Sequence, residues 1–435
     1  MYAAERCAAW ALAQRREPLA PEVVHHAKRA VIDWHAALYP GAVVAPATLL
    51  EKSLAEELGQ GDAFLALGKR ATTRAAALIN GTAAHTVEVD DIYRDGIYHP
   101  GAPTIAAALA VAETKNLSGE ALLRGVVAGY EISTRIGAAM GRAHYKHWHN
   151  TGTIGCFGAA AASSELLGLN AKQFAHALAT VATFAAALQQ AFRMDSMSKP
   201  LHAGRAAEAG VTAALAAQSG VTGSLDCIEG FGRAMGDGPD WEKAFATLGQ
   251  DSHITKMTFK NHACCGHTFA AIDGALEVRK RLPPGEIRSV KIGTYRAGLE
   301  VAHYEEPRTP AEGRFSLKYV VATALTHGSV RLAAFEPERL DDPGTRALMK
   351  KMSVELDPQL DATFPAQRAA RVRIQLENGK SEEWLQPTRK GDPDMPLSDQ
   401  ELNDKFLELA GPVLGAKAEK KLEQLWQLEA QSTLA

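Results

Sequence analysis

Hydrophobic residues recur every three to four positions over roughly the first 260 residues of the chain. In one early segment Val24, Ala27 and Val31 fall on a single stripe, which predicts an amphipathic helix. Asn170 and Gln173 have the spacing of a capping box, which marks the start of another helix. The spacing therefore predicts a multihelical, alanine-rich first part.

A two-residue alternation marks a region closer to the C-terminus. Residues 372–376 alternate between apolar and polar side chains, and the Asn378-Gly379 pair that follows favours a tight hairpin turn. Shorter alternating segments at 290–292 and 353–357 are predicted as further strands.

Helical spacing returns after about residue 389. The pattern as a whole predicts a multidomain chain of the α and α+β classes. A large all-helical domain at 1–264 is completed by C-terminal helices at 389–435. Between them lies an inserted, smaller α+β lid domain at 265–388, which is expected to contain an antiparallel sheet.

Composition is that of a globular protein and excludes several classes. Of the 435 residues, 46% are hydrophobic and 22% charged, and the net charge of −3 gives no basic field for nucleic acid or an anionic membrane. No apolar run of membrane-spanning length and no signal peptide is found. Five cysteines, few and odd in number, argue against a disulfide scaffold, so a reducing, cytoplasmic location is expected.

Motifs for cofactors are missing from the sequence. The stretch that begins at Gly59 lacks the third glycine of a dinucleotide fingerprint, and neither a P-loop nor a GxSxG nucleophile elbow occurs. His144, His147 and His149 have a metal-like spacing, but no second ligand pair at a standard spacing accompanies them. We therefore expect no cofactor and no metal.

Acids and histidines cluster around a glycine-broken loop at 85–103. If the residues before the loop are helical, Glu88 and Asp91 project from one face, and His99 ends the loop where Pro100 restricts its backbone. A carboxylate beside a histidine can act as an acid/base pair, because neighbouring groups push their pKa values apart. The alternative is a helix that ends in solvated acids.

Basic residues occur at two predicted helix starts. His149 precedes a Thr- and Gly-rich turn whose free N–H groups could hold an anion, although an ordinary hydrogen-bonded histidine is the alternative. Pro200 places Lys199 at a helix N-terminus, and His202 and Arg205 follow at three-residue steps. The helix dipole disfavours cations at this end. Basic residues found there nevertheless indicate a site for an anionic ligand, and the alternative is that their side chains are simply solvated.

The last candidates lie in the predicted lid domain or at its junction with the helical domain. They are His267 and Tyr319, and the residues alone favour an ordinary core position for Tyr319.

These stretches together resemble the MmgE/PrpD family, which includes 2-methylcitrate dehydratases, cis-aconitate decarboxylases and iminodisuccinate epimerases. Matching segments such as INGTAAHTVEVDD, HNTGTIGCFGAAAASSELLGL and RFSLKYVVATAL run in order over most of the chain, and KPLHAG at 199–204 is the most specific. The resemblance implies a helical domain with an α+β lid, a homodimer, an active site in the cleft between domains, and neither cofactor nor metal. By position it points to Asp91, His99, His149, Lys199, His267 and Tyr319.

The resemblance also implies proton removal or delivery at a carbon next to a carboxylate. Lys199 and His202 would bind substrate carboxylates and stabilise enolate-like charge. His149 or His99 would act as base and acid, and Asp91 would orient a histidine. A hydro-lyase acting on a small di- or tricarboxylate is favoured; an epimerase or a decarboxylase, and a carboxylate-binding homologue without turnover, are the alternatives. The candidate catalytic residues are Asp91, His99, His149, Lys199 and Tyr319, and the candidate substrate-binding residues are Glu88, His202, Arg205 and His267.

Overall fold

Alanine-rich helices form most of the first of two units into which the chain divides, Met1–Thr258 with Ser398–Ala435. The computed structural model describes residues 1–192, 196–364 and 366–434. The helices before Thr258 are α1 (Ala3–Gln14), α2 (Pro21–Ala42), α3 (Ala47–Ser53), α4 (Thr73–Thr86), α5 (Gly101–Thr114), α6 (Gly119–Tyr145), α7 (Asn150–Thr153), α8 (Gly155–Leu166), α9 (Ala171–Ala182), α10 (Ser198–Gln218), α11 (Cys227–Met235) and α12 (Trp241–Ala244).

A short antiparallel pair of strands interrupts these helices, which corrects the prediction of an all-helical domain. Strand β1 (Leu58–Phe64) pairs with β2 (Arg70–Ala71) between α3 and α4. Gly59 and Gly61 have φ angles of +71° and +79°, which an α-helix cannot contain. These glycines explain why the helical pattern stops here.

Helix α4 is shorter than the sequence predicted. It ends at Thr86, and Glu88 follows with a φ of +57°, so the segment up to Asp91 is not helical. Glu88 and Asp91 therefore do not share a helical face. The predicted capping box of α9 is confirmed, because the Gln173 N–H donates to Asn170 Oδ1 at 3.0 Å.

Two glycines allow α4 and α10 to approach each other closely. A Cβ atom on Gly204 would lie 2.1 Å from the carbonyl oxygen of Leu78, and one on Gly81 would lie 3.0 Å from the Cα atom of Gly204. Only glycine fits at such a contact. The contact brings the first turns of α10 beside the C-terminal end of α4.

The second unit, Phe259–Leu397, is of the α+β class. Its sheet has the strand order β4-β3-β5-β6, in which β3–β5 and β5–β6 are antiparallel and β3–β4 is parallel, so the sheet is mixed rather than antiparallel as predicted. The parallel pair needs a long connection, which the helices between these strands supply. The predicted hairpin at Asn378-Gly379 is confirmed. The elements are α13 (Phe269–Arg281), β3 (Ile287–Thr294), α14 (Arg296–Val301), α15 (Pro310–Arg314), α16 (Leu317–His327), α17 (Pro337–Leu340), α18 (Pro343–Met349), β4 (Met352–Leu356), α19 (Pro358–Thr363), β5 (Ala370–Leu376) and β6 (Ser381–Gln386).

The C-terminal helices α20 (Asp399–Leu414) and α21 (Ala418–Trp426) belong to the first unit. Helix α20 packs against α2 and buries Leu402 and Phe406 completely. None of the helices in the described part of the chain has both the length and the apolar character needed to cross a lipid bilayer.

Candidate functional site

Four histidines meet in the first unit, next to the C-terminal end of α4. His85, in the last turn of that helix, stacks on His149 with 5.4 Å between ring centroids, and its ring meets that of His99 edge-on at 4.7 Å. The Nδ1 atoms of His149 and His202 are 3.1 Å apart. The structure thus brings together three predicted site residues, His99, His149 and His202, around an unpredicted one.

Asp90 is the carboxylate that holds two of these histidines. Its Oδ2 atom lies 2.8 Å from Nδ1 of His85 and 3.2 Å from Nδ1 of His99. Burial would raise the pKa of Asp90, but the charges of His99 and His85 and their hydrogen bonds hold it well below its usual range. The hydrogen bond from Nδ1 of His85 and the ion pair with Nδ1 of His99 turn the Nε2 atoms of both rings away from the carboxylate.

Asp91 belongs to a neighbouring network. Its Oδ2 accepts a hydrogen bond from the Tyr130 hydroxyl at 2.8 Å, and its Oδ1 accepts one from the Gly101 N–H at 3.0 Å, at the start of α5. Burial, assisted by the negative charge of Asp33, raises the pKa of Asp91 to about 8. The sequence analysis expected Asp91 to orient a histidine, but in the structure Asp90 makes the contacts with the histidines.

Lys199 lies in the first turn of α10, where the sequence predicted it. Its Nζ atom is 2.5 Å from Oε1 of Glu88 and 5.4 Å from the ring centroid of Phe192. Phe192 also packs against His149, with 4.8 Å between ring centroids. An ammonium group, an acid and an aromatic ring therefore border the histidine cluster.

The two histidines nearest Lys199 are kept uncharged. Burial, followed by the positive charges of His85 and Lys199, lowers the pKa of His149 well below its usual range. The same causes lower the pKa of the half-buried His202. Near neutral pH both rings are therefore unprotonated, the form that a general base must start from.

Arg205 is not drawn into this cluster. It is exposed on α10 and pairs with Glu208 one turn along the same helix, at 2.9 Å. This contact is of the ordinary helix-surface type.

Two predicted site residues lie in the second unit. The Nδ1 atom of His267 is 2.9 Å from the hydroxyl oxygen of Tyr295, and burial together with the charges of Arg368 and Arg389 lowers the pKa of His267 to about 4. Tyr319 is fully buried in α16, and its hydroxyl donates to the carbonyl oxygen of Ala334. These contacts match the alternative of an ordinary core residue for Tyr319.

Among the residues that the structure describes, two groups of side chains have the ligand types of a metal site. The potential ligand atoms of His85, Asp90 and His99 lie within 4.8 Å of one another. A metal there would have to replace the contacts that Asp90 already makes with the two histidines. The second group is Glu131, Asp251 and His253, but Arg135 and Lys256 already neutralise its carboxylates.

His85 and Asp90 belong to the histidine cluster, but the sequence analysis did not name them as candidate site residues. Both are buried, and within the described ranges the Nε2 atom of His85 and the Oδ1 atom of Asp90 have no hydrogen-bond partner. A signal was available for His85, because it lies four residues after Gly81 and so on the helix face that meets α10. No comparable signal distinguishes Asp90 from Asp91.

Comparison with known proteins identifies the family of the chain. The model of the MmgE/PrpD N-terminal domain matches residues 5–244, and that of the MmgE/PrpD C-terminal domain matches residues 262–428. The chain is 26% identical over 446 residues to a cis-aconitate decarboxylase-like protein, oryM, of Aspergillus oryzae, with 95% of this chain and 92% of the relative covered. It is also similar to the cis-aconitate decarboxylases of Mus musculus (28% identity; 78% of this chain and 72% of the relative) and Homo sapiens (27% identity; 82% and 78%). Since the two family models together match most of the sequence, the chain belongs to the MmgE/PrpD family.

Proposed function

We propose that this protein is a cofactor-independent lyase that decarboxylates a small di- or tricarboxylate. The observation that carries the proposal is the juxtaposition of Lys199 with the uncharged rings of His149 and His202, beside two further histidines held by Asp90. Such a site offers both a cation for substrate carboxylates and groups that exchange protons. The names of the relatives favour decarboxylation.

The proposed step breaks a carbon–carbon bond. Lys199 and the N-terminus of α10 hold a carboxylate that stays on the substrate. A neighbouring carboxylate leaves as CO2, and its bonding electron pair remains as a carbanion conjugated with the retained carboxylate. His99, oriented by Asp90, then donates a proton to carbon and is reprotonated from solvent.

Dehydration of a hydroxy acid is the second candidate. That reaction begins with removal of a proton next to a carboxylate, and the buried, uncharged His149 is suited to accept it. The two reactions separate by proton NMR in deuterated water. A decarboxylase consumes cis-aconitate with release of CO2 and places deuterium on carbon, whereas a dehydratase converts hydroxy acids to products with new vinyl signals.

Lys199→Met tests the assignment of the site. The substitution keeps the apolar stem but removes the charge, so it should leave the melting temperature nearly unchanged and lower turnover on the order of a hundredfold or more. Lys172→Met is the matched control, because Lys172 is the exposed second residue of α9, as Lys199 is the second residue of α10. Turnover by Lys199→Met within a few-fold of wild type would refute the placement of the carboxylate site.

A further inference from the structure

We propose that Glu88 is an internal carboxylate that occupies Lys199 in the ligand-free protein and is displaced by a carboxylate of the substrate. Glu88 would thereby set the affinity of the site and favour ligands with two or more carboxylates. This inference deepens the proposed function and rests on it for the class of ligand.

The contact between the two residues has the form of an occupied ligand site. Oε1 of Glu88 lies 2.5 Å from Nζ of Lys199, a charge-assisted distance of the kind that a substrate carboxylate would adopt. The Glu88 side chain is 53% exposed, whereas that of Lys199 is only 19% exposed. Glu88 therefore covers the ammonium group from the solvent side and can leave toward water without a desolvation cost.

The backbone of Glu88 points to a role beyond ending the helix. Its φ of +57° lies in the left-handed region, where residues other than glycine are uncommon and strained. The position follows the C-cap of α4, where glycine is the usual residue and would relieve the strain. Glycine would end the helix without this strain, whereas a carboxylate at this position pairs with Lys199.

The ion pair has a direct consequence for ligand choice. A ligand with one carboxylate exchanges the Glu88–Lys199 pair for an equivalent one and gains little. A ligand with more carboxylates keeps additional groups for the neighbouring histidines and the N-terminus of α10, so it gains net affinity. Glu88, which the sequence analysis named as a substrate-binding residue, would then oppose binding.

Calorimetric titration with propane-1,2,3-tricarboxylate (tricarballylate) tests this role without requiring turnover. Glu88→Gln should bind tricarballylate roughly two- to fivefold more tightly than wild type, the size expected for loss of a half-exposed competing ion pair. Glu88→Gly should also bind tricarballylate more tightly, and glycine removes the backbone strain at this position. This second variant keeps the test possible if Glu88→Gln folds poorly. Glu208→Gln is the matched control, since it removes an equal charge from α10 and should leave the affinity unchanged.

A double variant shows whether the effect passes through Lys199. In the Lys199→Met background, Glu88→Gln should no longer tighten binding, because both residues act through one ion pair. Equal or weaker binding by both Glu88→Gln and Glu88→Gly overturns the inference alone. Failure of wild type to bind tricarballylate overturns the proposed function as well.

Discussion

Asp90 and Asp91 are adjacent and equally buried, yet their environments favour opposite protonation states. Asp90 faces two histidines and stays ionised. Asp91 faces the hydroxyl of Tyr130 and the charge of Asp33, and its pKa of about 8 keeps it protonated at neutral pH. Which of two neighbouring acids turns toward the histidines depends on the dihedral angles of the segment after α4, so residue types alone did not distinguish them.

Replacing each acid by its amide separates the two roles. Folding favours the protonated form of Asp91. Between about pH 4 and pH 8 the unfolded chain has therefore released a proton that the folded protein keeps. The free energy of unfolding falls as pH rises across this window. Asp91→Asn mimics the neutral form and should flatten that fall. Asp90→Asn should cost roughly 1.5–3 kcal/mol at neutral pH and most of the turnover, because it removes the negative charge that faces both histidines.

Melting temperatures measured from pH 5 to 9, together with turnover at pH 7, check this pair of variants. The assignment is wrong if Asp91→Asn shows the same slope as wild type, or if Asp90→Asn keeps full turnover.

Elements were easier to predict than the contacts between them. Hydrophobic spacing and the capping box at Asn170 correctly indicated a mostly helical fold, because both signals are local. The early end of α4 depends on the positive φ of Glu88, and the close approach of α4 to α10 depends on Gly204 meeting a distant backbone. Hydrophobic spacing reports neither the dihedral angle nor the helix contact, so the position of His85 in the cluster was not apparent from that spacing.

A lysine on α20 links the C-terminal helices to the candidate site. Lys405 Nζ is buried, lies 2.5 Å from Oδ1 of Asp33 on α2, and donates to the carbonyl oxygen of Val89 at 2.7 Å. Val89 immediately precedes Asp90. Lys405 therefore neutralises the buried Asp33. It also fixes the segment that carries Asp90, the acid that faces the histidines.

Lys405→Met should lower the free energy of unfolding by about 3–5 kcal/mol, because it leaves Asp33 buried without its partner. Adding Asp33→Leu removes the second charge and should recover most of that loss. Turnover should stay reduced in the double variant, since the Val89 carbonyl still lacks its donor. Urea unfolding and turnover of both variants measure this; a loss below about 1 kcal/mol for the single variant would contradict it.

At the scale of the whole molecule, family membership and the division into two units were predictable because their signals extend along most of the chain. The sheet was only partly predictable. Alternation identifies a strand but not its neighbour, so the parallel pairing of β3 with β4 was missed.

The division of the first unit into two separate segments leads to the last prediction. Helix α20 supplies Lys405 and the fully buried Leu402 and Phe406, and it packs along α2. A chain that stops at Leu397 would expose the apolar face of α2 and remove the lysine that pairs with Asp33. Each buried apolar side chain contributes about 1.5–3 kcal/mol, and the Lys405–Asp33 ion pair is lost as well, so the combined loss is comparable to the entire stability of a domain.

We therefore expect the truncated chain to lose cooperative thermal unfolding, as measured by circular dichroism and calorimetry. A second truncation at Gln431 removes only residues after the last helical turn and should melt like the full chain. Cooperative unfolding of the chain that ends at Leu397, near the temperature of the full-length protein, would show that the first unit does not depend on its C-terminal segment. Because Lys405 is the link between that segment and the turn carrying Asp90, the same truncation should abolish binding of tricarballylate even where helical content remains.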